Sequence, residues 1–232
     1  FAGNRQGVIE LKLAWRILDP ATDDFGRYLT QPAYVASGVG MPTWTQVTVG
    51  LVGFHIAQKT ETSPQWIWST FEHVDNLAVD RLTVIKTADG KRRALRASFN
   101  NPDCEWCAVN AAVAPDADGK RRTQITRLVP IPRETAALNA RMRAVLAAAG
   151  SKLQYYEMVG TQWPTDPAAP PESGSAFPGA VSNLSGGKPL PVYLANSVME
   201  TFSQVGNLPA RDQPRSVSTS TRPVFGNGSC MG

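Results

Sequence analysis

Charge is scarce in this chain of 232 residues: Asp, Glu, Lys and Arg make up only 18% of it, against about a quarter in an ordinary globular domain. The net charge is only +4, and the clustered cations fall in two short runs, Lys91-Arg92-Arg93 and Lys120-Arg121-Arg122. No aromatic side chain is interleaved with either run, as it would be on a nucleic-acid surface, so no nucleic-acid partner is expected. Long apolar runs are missing too. The longest apolar-rich stretches, Val47–Ile56 and Ala144–Ala149, fall well short of the roughly 18 residues of a membrane-spanning helix. No membrane span is expected, and the chain reads as soluble. There is no Gly-x-Ser-x-Gly, no Gly-rich phosphate loop and no His-Glu-x-x-His, which removes the usual grounds for a hydrolase, kinase or nucleotide enzyme. Histidine and cysteine are rare, at two and three residues. A structural zinc needs four thiolate or imidazole ligands, and these five residues offer few ways to assemble them.

Proline and glycine are plentiful, with 18 and 19 residues, so loops take much of the length. The hexamer Ala-Asp-Gly-Lys-Arg-Arg occurs twice, at 88–93 and 117–122. Asp-Gly favours a tight turn because glycine accepts positive φ without a Cβ penalty. Leu82–Lys86 and Ala94–Phe99 flank the first copy, and Ala108–Val113 and Thr123–Val129 the second. Two hairpins with solvated cations at their tips are expected.

Val8–Leu18 reads as an extended strand. Ile9, Leu11, Leu13 and Trp15 share one face of an extended strand, and Glu10, Lys12 and Arg16 the other. Thr45–Lys59 and Gln65–Val74 read as further strands, rich in Val, Thr, Ile and aromatics. Glu134–Ala149 reads as a helix, about 133–149 in all, because Ala, Leu, Arg and Met dominate it. Leu138, Met142 and Val145 or Leu146 fall on one side of it, Pro132 precedes it and Gly150 supplies the stop. A strand over Lys152–Val159 and a short helix near 192–204 are expected to follow. The sequence thus predicts a mainly β or α+β fold, with a β-sandwich-like core of antiparallel strands and hairpins. It is read as one domain over 1–204, including a long Pro/Gly-rich loop at 164–191, followed by a loop-like tail over 205–232.

Cys104 and Cys107 form Cys-Glu-Trp-Cys. Residue 108 is alanine, so this pair is not a Cys-x-x-Cys-His haem motif. It follows the turn-rich Asn100-Asn101-Pro102-Asp103 rather than opening a helix, which argues against a thioredoxin-like dithiol. A local disulfide clipping the loop is the expectation, and it fits an oxidising compartment. His55 and His73 lie in strand-like segments, where each is either an axial ligand or general base, or a hydrogen-bonded structural histidine. Trp66 and Trp68 share a face, as a platform for a flat ligand or as core. Glu72 and Asp75 flank His73, and Asp23-Asp24 sits in a loop. None of these makes a convincing acid–base pair.

The run FHIAQKTETSPQWIWSTFEHVDN, from Phe54 to Asn76, resembles a family of uncharacterised proteobacterial c-type cytochrome proteins. FNNPDCEWCAVN resembles that family's cysteine loop, YYEMVGTQWPTDP its strand leading into a Pro-rich loop, and YLANSVMETFSQ the helix before its haem motif. In that family the chain runs on into Ser-Cys-x-x-Cys-His, whose opening matches Ser229-Cys230-Met231-Gly232. The resemblance implies haem c attached through a motif beginning at Cys230, with His55, His73 or a methionine completing the iron's ligands. It further implies a periplasmic or secreted electron-transfer protein, with a periplasmic redox partner. Two other readings stand beside it: a haem-dependent oxidase or peroxidase, and a periplasmic ligand- or partner-binding module without haem, using the Trp66/Trp68 face or the Pro-rich loop.

Overall fold

The computed structural model describes residues 7–37, 41–61, 63, 66–77, 84–94, 97–99, 108–109, 123–125, 127, 129–166, 189–191 and 194–200. Among the described residues, ten strands and one α-helix occur: β1 (Ile9–Ile17), β2 (Thr30–Ser37), β3 (Thr43–Gln58), β4 (Ile67–His73), β5 (Val84–Lys86), β6 (Arg92–Ala94), β7 (Ala108–Val109), β8 (Thr123–Gln124), α1 (Arg133–Ala148), β9 (Tyr156–Pro164) and β10 (Pro189–Leu190). One six-stranded sheet, ordered β1-β3-β4-β9-β10 with β2 also on β3, dominates the fold. Its pairing is antiparallel for β2 on β3 and β10 on β9, and for β1 on β3, where Leu18 bonds to Thr48 and Gly7 to Lys59. The mainly antiparallel fold with one α-helix is as the sequence predicts.

The chain divides into two compact units. The first comprises 1–12, 55–71 and 158–232, the second 13–54 and 72–157. Among the described residues, the buried apolar side chains of the second unit are Leu18, Tyr28, Val49, Leu51, Val52, Ile125 and Tyr156, and those of the first Ala57, Val159 and Leu194.

The first Asp-Gly turn closes a hairpin. β5 and β6 pair antiparallel, Gly90 has φ +84°, and the Thr87 hydroxyl and the Lys91 amide both bond to Asp89. Beside it Lys91 is 83% exposed, as expected of a solvated tip. The second Asp-Gly lies outside the described residues; of its flanks, Ala108–Val109 and Thr123–Gln124 pair in parallel. Helix α1 ends where expected, at Gly150 with φ +65°, and the amides of Gly150 and Ser151 bond back to Ala147 and Leu146. The strand expected from Lys152 begins four residues later. Ser151 caps a 3-10 turn over Lys152–Tyr155 by accepting from the Leu153 amide, and β9 starts only at Tyr156. The short helix expected near 192–204 is, at the described residues 197–199, a hydrogen-bonded turn.

Candidate functional site

Each unit holds one of the two histidines, and both rings are buried at 1% exposure. Their surroundings give them different chemistry.

In the first unit, His55 Nε2 lies 2.8 Å from Glu200 Oε1. A carboxylate accepts hydrogen bonds, so Nε2 is the nitrogen that donates here, and whenever the ring is neutral Nδ1 is a bare lone pair. Among the described residues that nitrogen has no hydrogen-bond partner, although it is shut off from solvent. Glu200 is itself held, because its second oxygen accepts from the Asn196 amide at 2.6 Å. The Asn196 side chain donates to Thr70 Oγ1 and to the Phe71 carbonyl, both at 2.9 Å, and accepts from the Val198 amide. The 194–200 turn is thereby fixed to β4, and through Glu200 it fixes the imidazole plane. Trp68 meets that ring edge-on, with centroids 5.8 Å apart and planes at 80°. Trp66 and Trp68 are both half-buried and tilted by 54° with centroids 6.5 Å apart, and the Lys59 ammonium sits 4.8 Å from the Trp66 ring. They make an angled aromatic pair rather than a flat platform.

In the second unit, His73 Nδ1 accepts from the Asp75 amide at 3.1 Å, so its proton is on Nε2, which donates to the Arg27 carbonyl at 3.0 Å. The ring stacks on Tyr28, 4.0 Å away and within 10° of parallel, and meets Tyr156 edge-on at 5.0 Å. Burial pushes its pKa down to about 4, outweighing the opposite pull of the Asp75 charge. Asp75 is committed to Arg27, whose Nε and Nη2 fork onto its carboxylate at 2.6 and 2.5 Å. Arg27 also donates through Nη1 to the Lys86 carbonyl and lies over the Tyr155 ring at 4.3 Å. The Tyr156 hydroxyl donates to the Leu51 carbonyl and accepts from the Leu29 amide, and burial drives its pKa upward. Glu72, the other acid beside His73, pairs with Arg127 at 2.7 Å. Burial raises the pKa of Glu157, against the pull of Arg127 and Arg143.

The two centres therefore differ in what they leave free. His73 has no lone pair to offer, because both ring nitrogens are taken by backbone groups. His55 keeps one. Cys104, Cys107 and Cys230 lie outside the described residues, and among the described residues no three His, Cys, Asp or Glu side chains converge as a metal cluster. Sequence reasoning missed Glu200, Asn196 and Arg27. Glu200 is separated from His55 by 145 positions and Arg27 from Asp75 by 48, so no local spacing links either pair. No known family, no curated protein and no solved structure matches this chain.

Proposed function

We propose that this protein is an exported electron-transfer protein of c-type cytochrome type, its haem attached through the motif that opens at Cys230. Haem, when bound, supplies the one-electron chemistry, and the chain sets its potential through axial ligation and by excluding water. The observation that carries the reading is the state of His55. Metal-bound histidines characteristically donate their second ring N–H to a carboxylate, which fixes the tautomer and raises the basicity of the coordinating nitrogen. His55 has that arrangement: Nε2–H on Glu200, and an unpartnered Nδ1. Of the two histidines, the residues around His55 fit an iron ligand and those around His73 do not. In this reading His55 Nδ1 would be the ligand offered to the iron, Glu200 orients the ring, and Asn196 holds Glu200. His73 is structural.

The test is to express the gene's full product with export and cytochrome maturation, denature it, and look for haem that stays with the chain. Covalently retained haem with a pyridine haemochrome spectrum is expected. In the purified holoprotein, His55→Ala should change the oxidised Soret and ligand-field bands, while His73→Gln leaves them in place. Absence of covalent haem overturns the proposal. Haem that persists with spectra indifferent to His55 overturns the ligand assignment alone.

A second reading, a binding module without haem, is favoured by one observation: neither Trp66 nor Trp68 is fully buried, and Lys59 lies over the Trp66 ring. It predicts that a haem-free preparation binds a flat or sugar-like ligand with a change in tryptophan emission, and that Trp66→Ala abolishes the change.

A further inference from the structure

Between Tyr28 and His55 the sequence has no Asp, Glu, Lys, Arg or His. This stretch forms β2 and most of β3, which pair in unbroken register from Thr30↔Gly50 to Ser37↔Thr43. Burial changes along the ladder. Val49 and Gly50 are buried, whereas Tyr34–Ser37 and Thr43–Gln46 are exposed on both faces. Cross-strand partners share a face, so the pairs Tyr34↔Gln46 and Ala36↔Trp44 put Tyr34 and Trp44 diagonally beside each other. Tyr34 is 66% exposed and Trp44 62%, and Met41, which follows β2, is 97% exposed. Large aromatic side chains at such exposure on an uncharged ribbon have no role in a core.

We propose that this end of the β2–β3 ribbon is a peripheral docking surface for the interfacial zone of a lipid bilayer, entered by Tyr34, Trp44 and Met41. Trp and Tyr favour that zone because an apolar ring carries one polar group that stays among the headgroups. The charge pattern selects this occupant. A ribbon without fixed charge has nothing to pair with a nucleic acid or a charged protein face, and it brings no ionic group to desolvate beside zwitterionic headgroups. Of the other side chains along the exposed ends, Thr43, Thr45, Gln46 and Ser37 are neutral and polar, suited to headgroup depth, and Val35 and Ala36 are apolar. The ladder bonds of β2 with β3 satisfy inward-facing backbone groups, while the open edge limits entry to the wetter interface rather than the hydrocarbon. The surface is independent of the haem reading.

The test uses the purified full chain with vesicles of phosphatidylcholine and phosphatidylethanolamine, scored by co-sedimentation. Binding is expected to persist in high salt and to be indifferent to added phosphatidylglycerol, since no cation takes part. Trp44→Ser should weaken it by about tenfold, and the triple change Tyr34→Ser, Met41→Ser, Trp44→Ser should abolish it. Met142→Ser, an exposed apolar residue of α1, should leave it unchanged. Circular dichroism and urea midpoints check that the variants remain folded. No vesicle binding by the parent chain, binding untouched by the triple change, or binding that needs anionic lipid and disappears in salt each overturns the proposal. So does a self-association, read by light scattering, that the triple change abolishes without any effect of vesicles.

Discussion

Among the described residues, Arg27–Asp75 and His55–Glu200 are buried acid–base pairs, and in each the loss of one partner falls on the other. The Arg27 and Asp75 side chains are 6% and 4% exposed and bonded through two N–H groups of the guanidinium. Taking two charges out of water is expensive, so such a pair adds little net stability, yet breaking it leaves one charge buried and uncompensated. Asp75→Asn is expected to cost roughly 3–5 kcal/mol in urea unfolding. Replacing both residues together, Arg27→Met with Asp75→Leu, should recover much of that loss. A double variant as weak as the single one would mean that the Lys86 carbonyl and Tyr155 contacts of Arg27, rather than the charge pairing, dominate. At His55 the logic is one of hydrogen bonds. Glu200→Ala strands both the Nε2–H and the Asn196 amide, and each orphaned buried donor is worth about 1–3 kcal/mol. Sequence reading reaches only half of each site. The histidines stand out because there are two of them and both sit in strand-like segments. Their partners are ordinary residues brought in by pairing across the sheet and by a distant turn, and nothing in their own neighbourhoods marks them.

At the scale of elements, what was legible is what local chemistry dictates. Helix α1 announces itself through Ala, Leu, Arg and Met and stops at a glycine, and β1, β3 and β4 show their alternation or β-branched runs. Burial is a different matter, because periodicity says which side chains share a face and not whether anything covers it. The odd-numbered face of β1 leaves Ile9, Leu11 and Leu13 at 51%, 60% and 46% exposed, for β1 ends the strand order of the sheet. The apolar stripe of α1 behaves likewise: no residue of that helix is buried. β2 carries little strand signal in its sequence, because Pro32 interrupts it and Thr, Gln, Ala and Ser make up most of the rest. A proline without an amide proton is tolerated on a strand of this kind, which among the described residues pairs with β3 alone. The contrast is measurable. Met142→Ala on α1 is expected to move stability by no more than about 0.5 kcal/mol. Leu51→Ala in the buried stretch of β3, where Leu51 is 5% exposed, should cost about 2–5 kcal/mol through lost burial and the cavity left behind. A Met142 variant as damaging as the Leu51 variant would mean that the helix face is covered in solution.

For the molecule as a whole, the buried His73 ring determines how stability answers to acid. Its neutral form is built into the fold: Nδ1 accepts from the Asp75 amide, and protonating it would destroy that bond. In the unfolded chain the ring titrates near its ordinary value of 6.5, and in the folded chain near 4. Between those values the unfolded state holds the extra proton, so unfolding takes up a proton and falling pH favours it. The contribution of this ring is therefore fully present above about pH 6.5 and is lost progressively down to about pH 4, with no further change from His73 below that. A separation of this size corresponds to on the order of 3 kcal/mol, taken as an upper bound for a buried group. Urea midpoints at pH 7 and pH 4.5 should show the fall in the parent chain. In His73→Gln, which keeps a polar side chain but cannot titrate, the stability at pH 7 should drop and the slope across this interval should flatten. Carboxylates contribute a slope of their own at the acid end, so the diagnostic quantity is the difference between the two curves. A difference that stays constant from pH 7 to pH 4.5 would mean that His73 is not held neutral inside the protein, and that the stacked Tyr28–His73 arrangement opens to admit a proton.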